Sequence, residues 1–61
     1  MIKYIIIDDE PIAHRIIEGY ADNLNHFKKA GNFYDAIDAM EYLSKHQVDL
    51  FFLDLHMPKL T

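Results

Sequence analysis

Apolar residues along this chain fall into short unbroken runs and longer runs with a spacing near four. Tyr4 to Ile7 and, apart from Asp49, Val48 to Leu53 are of the first kind. They are rich in β-branched and aromatic residues without alternation, the pattern of strands covered on both faces. Ile12, Ile16, Tyr20 and Leu24 recur every four residues, with Ala13, Ile17 and Ala21 widening the stripe. This predicts an amphipathic helix reaching about Asn25. Pro11 suits the first helical position, where its missing N–H costs nothing, and Glu10 falls at the N-cap. Gly19 is expected to allow close packing of this helix on a sheet. Ala36, Ile37, Met40 and Leu43 form the apolar face of a second helix that ends near His46-Gln47. Phe27 to Ala30 reads as a strand interrupted by Lys28-Lys29, lysines that suit a sheet edge. Gly31-Asn32 reads as the turn that follows, with Asn32 as N-cap and Asp35 three residues on in the manner of a capping box. The expected strands are about 3–8, 27–31 and 48–54, and the expected helices about 11–25 and 33–46, all within one domain spanning 1–61. The order β-α-β-α-β implies a parallel sheet with right-handed crossovers, a three-layer α/β/α arrangement.

Length and charge narrow the picture further. A chain of 61 residues buries only about 60% of the surface that its unfolded form exposes. With no cysteine, no disulfide strengthens it, and a reducing compartment is compatible with that. The formal net charge of −4 argues against a nucleic-acid-binding surface within this segment. No apolar run approaches the roughly 20 residues of a membrane span, and Met1-Ile2-Lys3-Tyr4 lacks the layout of a signal peptide. A cytoplasmic location is the expectation.

Much of the acidity stands where the two apolar strands end. Asp8-Asp9-Glu10 follows Ile5-Ile6-Ile7 directly, and Asp54 follows Leu50-Phe51-Phe52-Leu53. If these strands are parallel neighbours, their ends lie roughly 4.8 Å apart, and Asp8, Asp9 and Asp54 converge. Like charges that close repel unless a cation sits among them. An all-oxygen donor set suits a hard divalent ion, Mg²⁺ above all. In open parallel sheets, ligands bind outside the carboxyl ends of the strands, which is where these residues fall.

Taken together, Ile5-Ile6-Ile7-Asp8-Asp9-Glu10-Pro11, Ala36, Leu53-Asp54 and Met57-Pro58 closely resemble the receiver domain of bacterial two-component response regulators. The resemblance implies a flavodoxin-like receiver fold truncated after the third strand, with strand order 2-1-3. It further implies that Asp54 accepts a phosphoryl group from a sensor histidine kinase to control an output, expected to be transcription. By the same resemblance Asp9 ligates Mg²⁺ directly, Asp8 ligates it mostly through water, and the main-chain carbonyl of His56 completes the set with Asp54. In the family a hydroxyl residue after strand four and a lysine after strand five assist, so the 61 residues alone are expected not to be competent. The ending Asp54-Leu55-His56-Met57-Pro58-Lys59-Leu60-Thr61 is similar to receivers attached to LytTR-type DNA-binding domains. DNA contact is accordingly expected only through an output domain outside this chain.

The remaining residues invite plainer readings. His14, His26, His46 and His56 show no short ligand spacing and are expected at the surface. The tyrosines and phenylalanines are expected to pack helices on the sheet, and Met40 to lie in the core. An aspartyl phosphatase would carry a second Asp two residues after Asp54, but His56 stands there. The alternative is a receiver-like interaction module that works by pairing and carries no phosphate. Val48 to Leu53 would be an open apolar edge in either case, so a homodimer or swapped assembly through it is expected.

Overall fold

The structure, a computed structural model, describes residues 1–54 of the chain. His56, Met57-Pro58 and Thr61 lie outside the described residues. Five elements follow in order: β1 (Ile2–Ile7), α1 (Pro11–Asp22), β2 (Phe27–Phe33), α2 (Ala36–Leu43) and β3 (Leu50–Leu53). The strands form one parallel sheet in the order β2-β1-β3, the flavodoxin-like order.

The unbroken apolar stretch of β1 is explained by its central place. Successive side chains point to opposite faces of a strand, and each face here carries a helix. Ile5 and Ile7 pack with Ala39 of α2, joined by Ala30, Phe33, Tyr42 and Leu43. Tyr4 and Ile6 pack with Ala21 of α1, joined by Ile17, Phe27 and Phe52. Two small cores therefore lie back to back through one strand. The Tyr4 ring also meets Phe52 of β3 edge-on at 5.7 Å and Phe27 of β2 at 6.1 Å, so one side chain ties all three strands.

Several expectations need correction. The four-residue stripe of α1 is not its buried face. Ile12, Ile16, Tyr20 and Leu24 are 65%, 53%, 73% and 45% exposed, while His14 and Ala21 are buried. A step of four residues overshoots the 3.6-residue turn by about 40°, so the stripe winds around the helix. The sheet meets the neighbouring side, which holds His14, Ile17 and Ala21. On α2, Ile37 and Met40 are 77% and 70% exposed, and Met40 is not core. Gly19 faces open space, with nothing within 4 Å of an added Cβ, so close packing is not its role. The cap of α2 is Asp35, whose Oδ1 accepts from the Asp38 amide at 2.8 Å. Asn32 cannot cap it, because β2 runs on through Gly31-Asn32 to Phe33.

That continuation contains a bulge. Tyr4 pairs with Lys29, but Ile5 pairs with Gly31, leaving Ala30 as an extra residue. A Cβ at Gly31 would come within 3.0 Å of the Phe33 ring, so glycine fits this position and a larger residue would push that ring. β3 is shorter than expected. Val48 still packs into the core on the α2 face. Asp49 clamps the start of β1, donating its amide to Lys3 O at 2.9 Å and accepting from the Lys3 amide at 2.8 Å.

Candidate metal centre

β1 and β3 end level with one another, Ile7 opposite Leu53. The next residue on each strand, Asp8 and Asp54, therefore leaves the sheet beside its neighbour, and the Asp54 amide donates to Ile7 O at 3.0 Å. One carboxylate oxygen from each of Asp8, Asp9 and Asp54 lies within 4.8 Å of the others. Asp8 and Asp54 are half-buried and Asp9 is exposed. Ligand oxygens on opposite sides of Mg²⁺ are about 4.2 Å apart at the usual bond length, so a side-chain adjustment of roughly half an ångström lets all three carboxylates hold one small hard ion. The donor set, oxygen alone, fits as well.

Asp8 is held from three directions. Its amide donates to Phe33 O at 3.0 Å. Its Oδ1 accepts from the Glu10 amide at 2.9 Å. Its carbonyl lies 2.8 Å from His14 Nε2. Glu10 occupies the N-cap position of α1, as expected, but its side chain makes no capping bond. The fourth expected ligand, His56, lies outside the described residues.

His14 overturns its surface reading. It is 2% exposed, lies against Tyr34 at a ring distance of 4.3 Å, and its Nδ1 sits 2.7 Å from Asn32 Nδ2. That amide nitrogen also donates to Glu18 Oε2 at 3.0 Å, and Glu18 Oε2 accepts from Lys29 Nζ at 2.6 Å. His26 and His46 are exposed, as anticipated. The sequence offered a faint signal for His14, which shares a helix face with Ile17 and Ala21 and stands one turn before Glu18.

The bonds from Lys29 and Asn32 hold the Glu18 carboxyl below its ordinary value near 4.5. A group depressed in the folded state adds stability above its unfolded pKa and loses it as pH falls through the folded one. Wild type is therefore expected to melt higher than Glu18→Gln at neutral pH, with the gap closing below about pH 4.5. Lys29 and Glu18 side chains are 37% and 29% exposed, so solvent keeps this gap small. Melting curves of both proteins from pH 3 to 7 read it directly, and a gap that widens in acid would contradict the assignment.

A family model described as the response regulator receiver domain matches residues 4–61. The chain belongs to the response regulator receiver domain family. Over all 61 residues this receiver is 30% identical to the transcriptional regulatory protein BtsR of Escherichia coli K12, of which it covers 26%. It is 31% identical over 58 residues to protein MrkE of Klebsiella pneumoniae, covering 95% of the receiver chain and 22% of MrkE. With the sensor histidine kinase RcsC of Escherichia coli K12 it shares 32% identity over 56 residues, 92% of this chain and 6% of the kinase. The chain thus spans about a quarter of the length of BtsR. No solved structure gives a significant match. Among the described residues, no helix is long and apolar enough to cross a membrane.

Proposed function

We propose that this receiver takes a phosphoryl group from a sensor histidine kinase onto Asp54, with Mg²⁺, to control an attached output. The observation that carries the reading is the meeting of Asp8, Asp9 and Asp54 within 4.8 Å at the carboxyl ends of adjacent strands. Asp54, which follows β3 with its main chain pinned to β1, takes the acceptor role because it matches the phosphoacceptor position of the receiver family. Asp8 and Asp9 would hold the ion together with Asp54. When bound, Mg²⁺ supplies positive charge that offsets the repulsion between a carboxylate and an incoming phosphoryl group. An oxygen of Asp54 forms the new bond to phosphorus as the bond to the kinase histidine nitrogen breaks, and that nitrogen keeps the electron pair. The acyl phosphate carries nearly two negative charges where the Asp54 carboxylate carried one, and this added charge is the signal.

The name of BtsR, a transcriptional regulatory protein, favours an output in transcription, delivered by a domain outside these residues. The 61-residue chain itself pairs with a second copy through β3, the sheet edge opposite β2. Cytoplasmic placement fits a partner kinase that presents its phosphohistidine to this surface.

The metal assignment is tested by titrating Mg²⁺ into Asp9→Ala and Glu10→Ala. Asp9 contributes an oxygen to the cluster, whereas Glu10 is exposed and outside it. Asp9→Ala is expected to weaken binding by at least about tenfold, with Glu10→Ala near wild type. The reverse order would show that the ligands are misassigned. Without Mg²⁺, Asp9→Ala should melt slightly higher, because one of three crowded negative charges is gone.

A further inference from the structure

We infer that His14 is a positioning residue for the metal centre, set in place by Asn32, Glu18 and Lys29. The inference rests on the proposed Mg²⁺ site and adds to it a buried lever behind Asp8.

The direction of each hydrogen bond in this chain of side chains follows from its two ends. An ammonium can only donate and an ionised carboxylate can only accept, so Lys29 donates to Glu18 Oε2. Glu18 then fixes the Asn32 amide with its nitrogen inward, one N–H on Glu18 and the other on His14 Nδ1. Nδ1 must accept, so the imidazole proton is on Nε2. Among the described residues, Nε2 faces the Asp8 carbonyl at 2.8 Å, which can only accept. Donors and acceptors match at every joint, and one tautomer of His14 satisfies them all.

The bulge in β2 makes this alignment possible. In a regular strand Lys29 and Asn32, three positions apart, would point to opposite faces. The extra residue Ala30 changes that parity, so Lys29 pairs with Tyr4 and Asn32 with Ile6, and Tyr4 and Ile6 both face α1. Both polar side chains therefore reach the same helix, one meeting Glu18 and one reaching both Glu18 and His14. Tyr34 covers the ring, which shields the bond to Asp8 from water. Held at its amide, its Oδ1 and its carbonyl, Asp8 is presented to the cluster in one orientation.

Two substitutions separate the halves of the lever. The amide nitrogen introduced by His14→Gln reaches about as far as Nε2 and can donate to the Asp8 carbonyl. The shorter amide of His14→Asn stands where Nδ1 stands, so it can accept from Asn32 but cannot reach Asp8. In the 61-residue chain, ¹⁵N spectra of wild type are expected to show the Nε2–H tautomer without any metal. Mg²⁺ titration should show His14→Asn weakened about tenfold, the scale of groups that orient ligands, and His14→Gln restored toward wild type. Affinities are compared among folded proteins. If His14→Asn does not fold, Asn32→Ala, which frees the ring but leaves it present, is expected to weaken Mg²⁺ as well.

An Nδ1–H tautomer would overturn the inference. So would wild-type affinity in folded His14→Asn or, failing that variant, in Asn32→Ala. Equal weakening in His14→Gln and His14→Asn would also overturn it, since that marks packing alone. Wild type that binds no Mg²⁺ would remove the metal site and the lever together, a result distinct from a wild type that binds beside variants that bind equally.

Discussion

Asp54→Asn is expected to take up no phosphate from acetyl phosphate under conditions in which the unaltered protein gains one phosphoryl group. The experiment belongs in a response regulator that carries this segment within its receiver, followed by intact-mass measurement with and without Mg²⁺. The reason for so large an effect is chemical. A carboxylate oxygen can form an acyl phosphate, whereas a neutral amide at the same place is a very poor nucleophile. Asp8 and Asp9 do not substitute readily, because Asp8 is tied at its amide, Oδ1 and carbonyl. Asp9 belongs to the same loop after β1 and stands exposed. Removing Mg²⁺ with a chelator should suppress uptake in the unaltered protein too, since the crowded carboxylates would then repel the donor. Equal uptake by both proteins would move the acceptor to another residue.

The 61-residue chain is expected to sediment as a dimer at micromolar concentration, and Phe51→Lys as a monomer. β3 pairs with β1 on one side only among the described residues. Its outer N–H and C=O groups form a template for another strand. Leu50, Phe51 and Leu53 are 37%, 50% and 40% exposed, and β3 itself carries no lysine of the kind that β2 has in Lys28 and Lys29. Beside it lies an apolar cleft lined by Tyr20, Leu24, Phe27, Leu50 and Phe52. A two-fold axis through the sheet would pair the two β3 edges antiparallel, giving β2-β1-β3-β3-β1-β2. An isologous contact of that kind closes on itself as a dimer, and it supplies burial that a chain this short lacks. Phe51 is the position to charge, because Phe52 is packed against Tyr4 and its loss would disturb the fold itself. Sedimentation equilibrium of both proteins decides the matter. A folded wild-type monomer would end the idea, and an unchanged dimer in Phe51→Lys would place the interface elsewhere.

The sequence by itself determined the order of elements, the parallel sheet and the convergence of Asp8, Asp9 and Asp54. These features follow from local periodicity and from acidic residues placed where apolar strands stop, so neighbours in sequence carry the information. The resemblance to receiver domains made β1 and β3 neighbours, and neighbouring parallel strands in register end side by side. What only the tertiary structure decided is which side of each helix meets the sheet and where the polar interior lies. Ile12, Ile16 and Tyr20 read as the centre of a core stripe that Ala13, Ile17 and Ala21 widen, yet packing selected Ile17 and Ala21 from its margin together with His14, since the helix can be rolled about its axis without changing its own pattern. Likewise Gly31-Asn32 reads as a turn from composition, yet pairing with β1 extends β2 through both residues and absorbs Ala30 as a bulge. The fate of His14 depends on that bulge, because only the shifted parity brings Asn32 to the helix. Asn32 meets His14 from 18 positions away, a contact between distant segments that depends on how β2 pairs with β1, and no local pattern in the chain encodes that register.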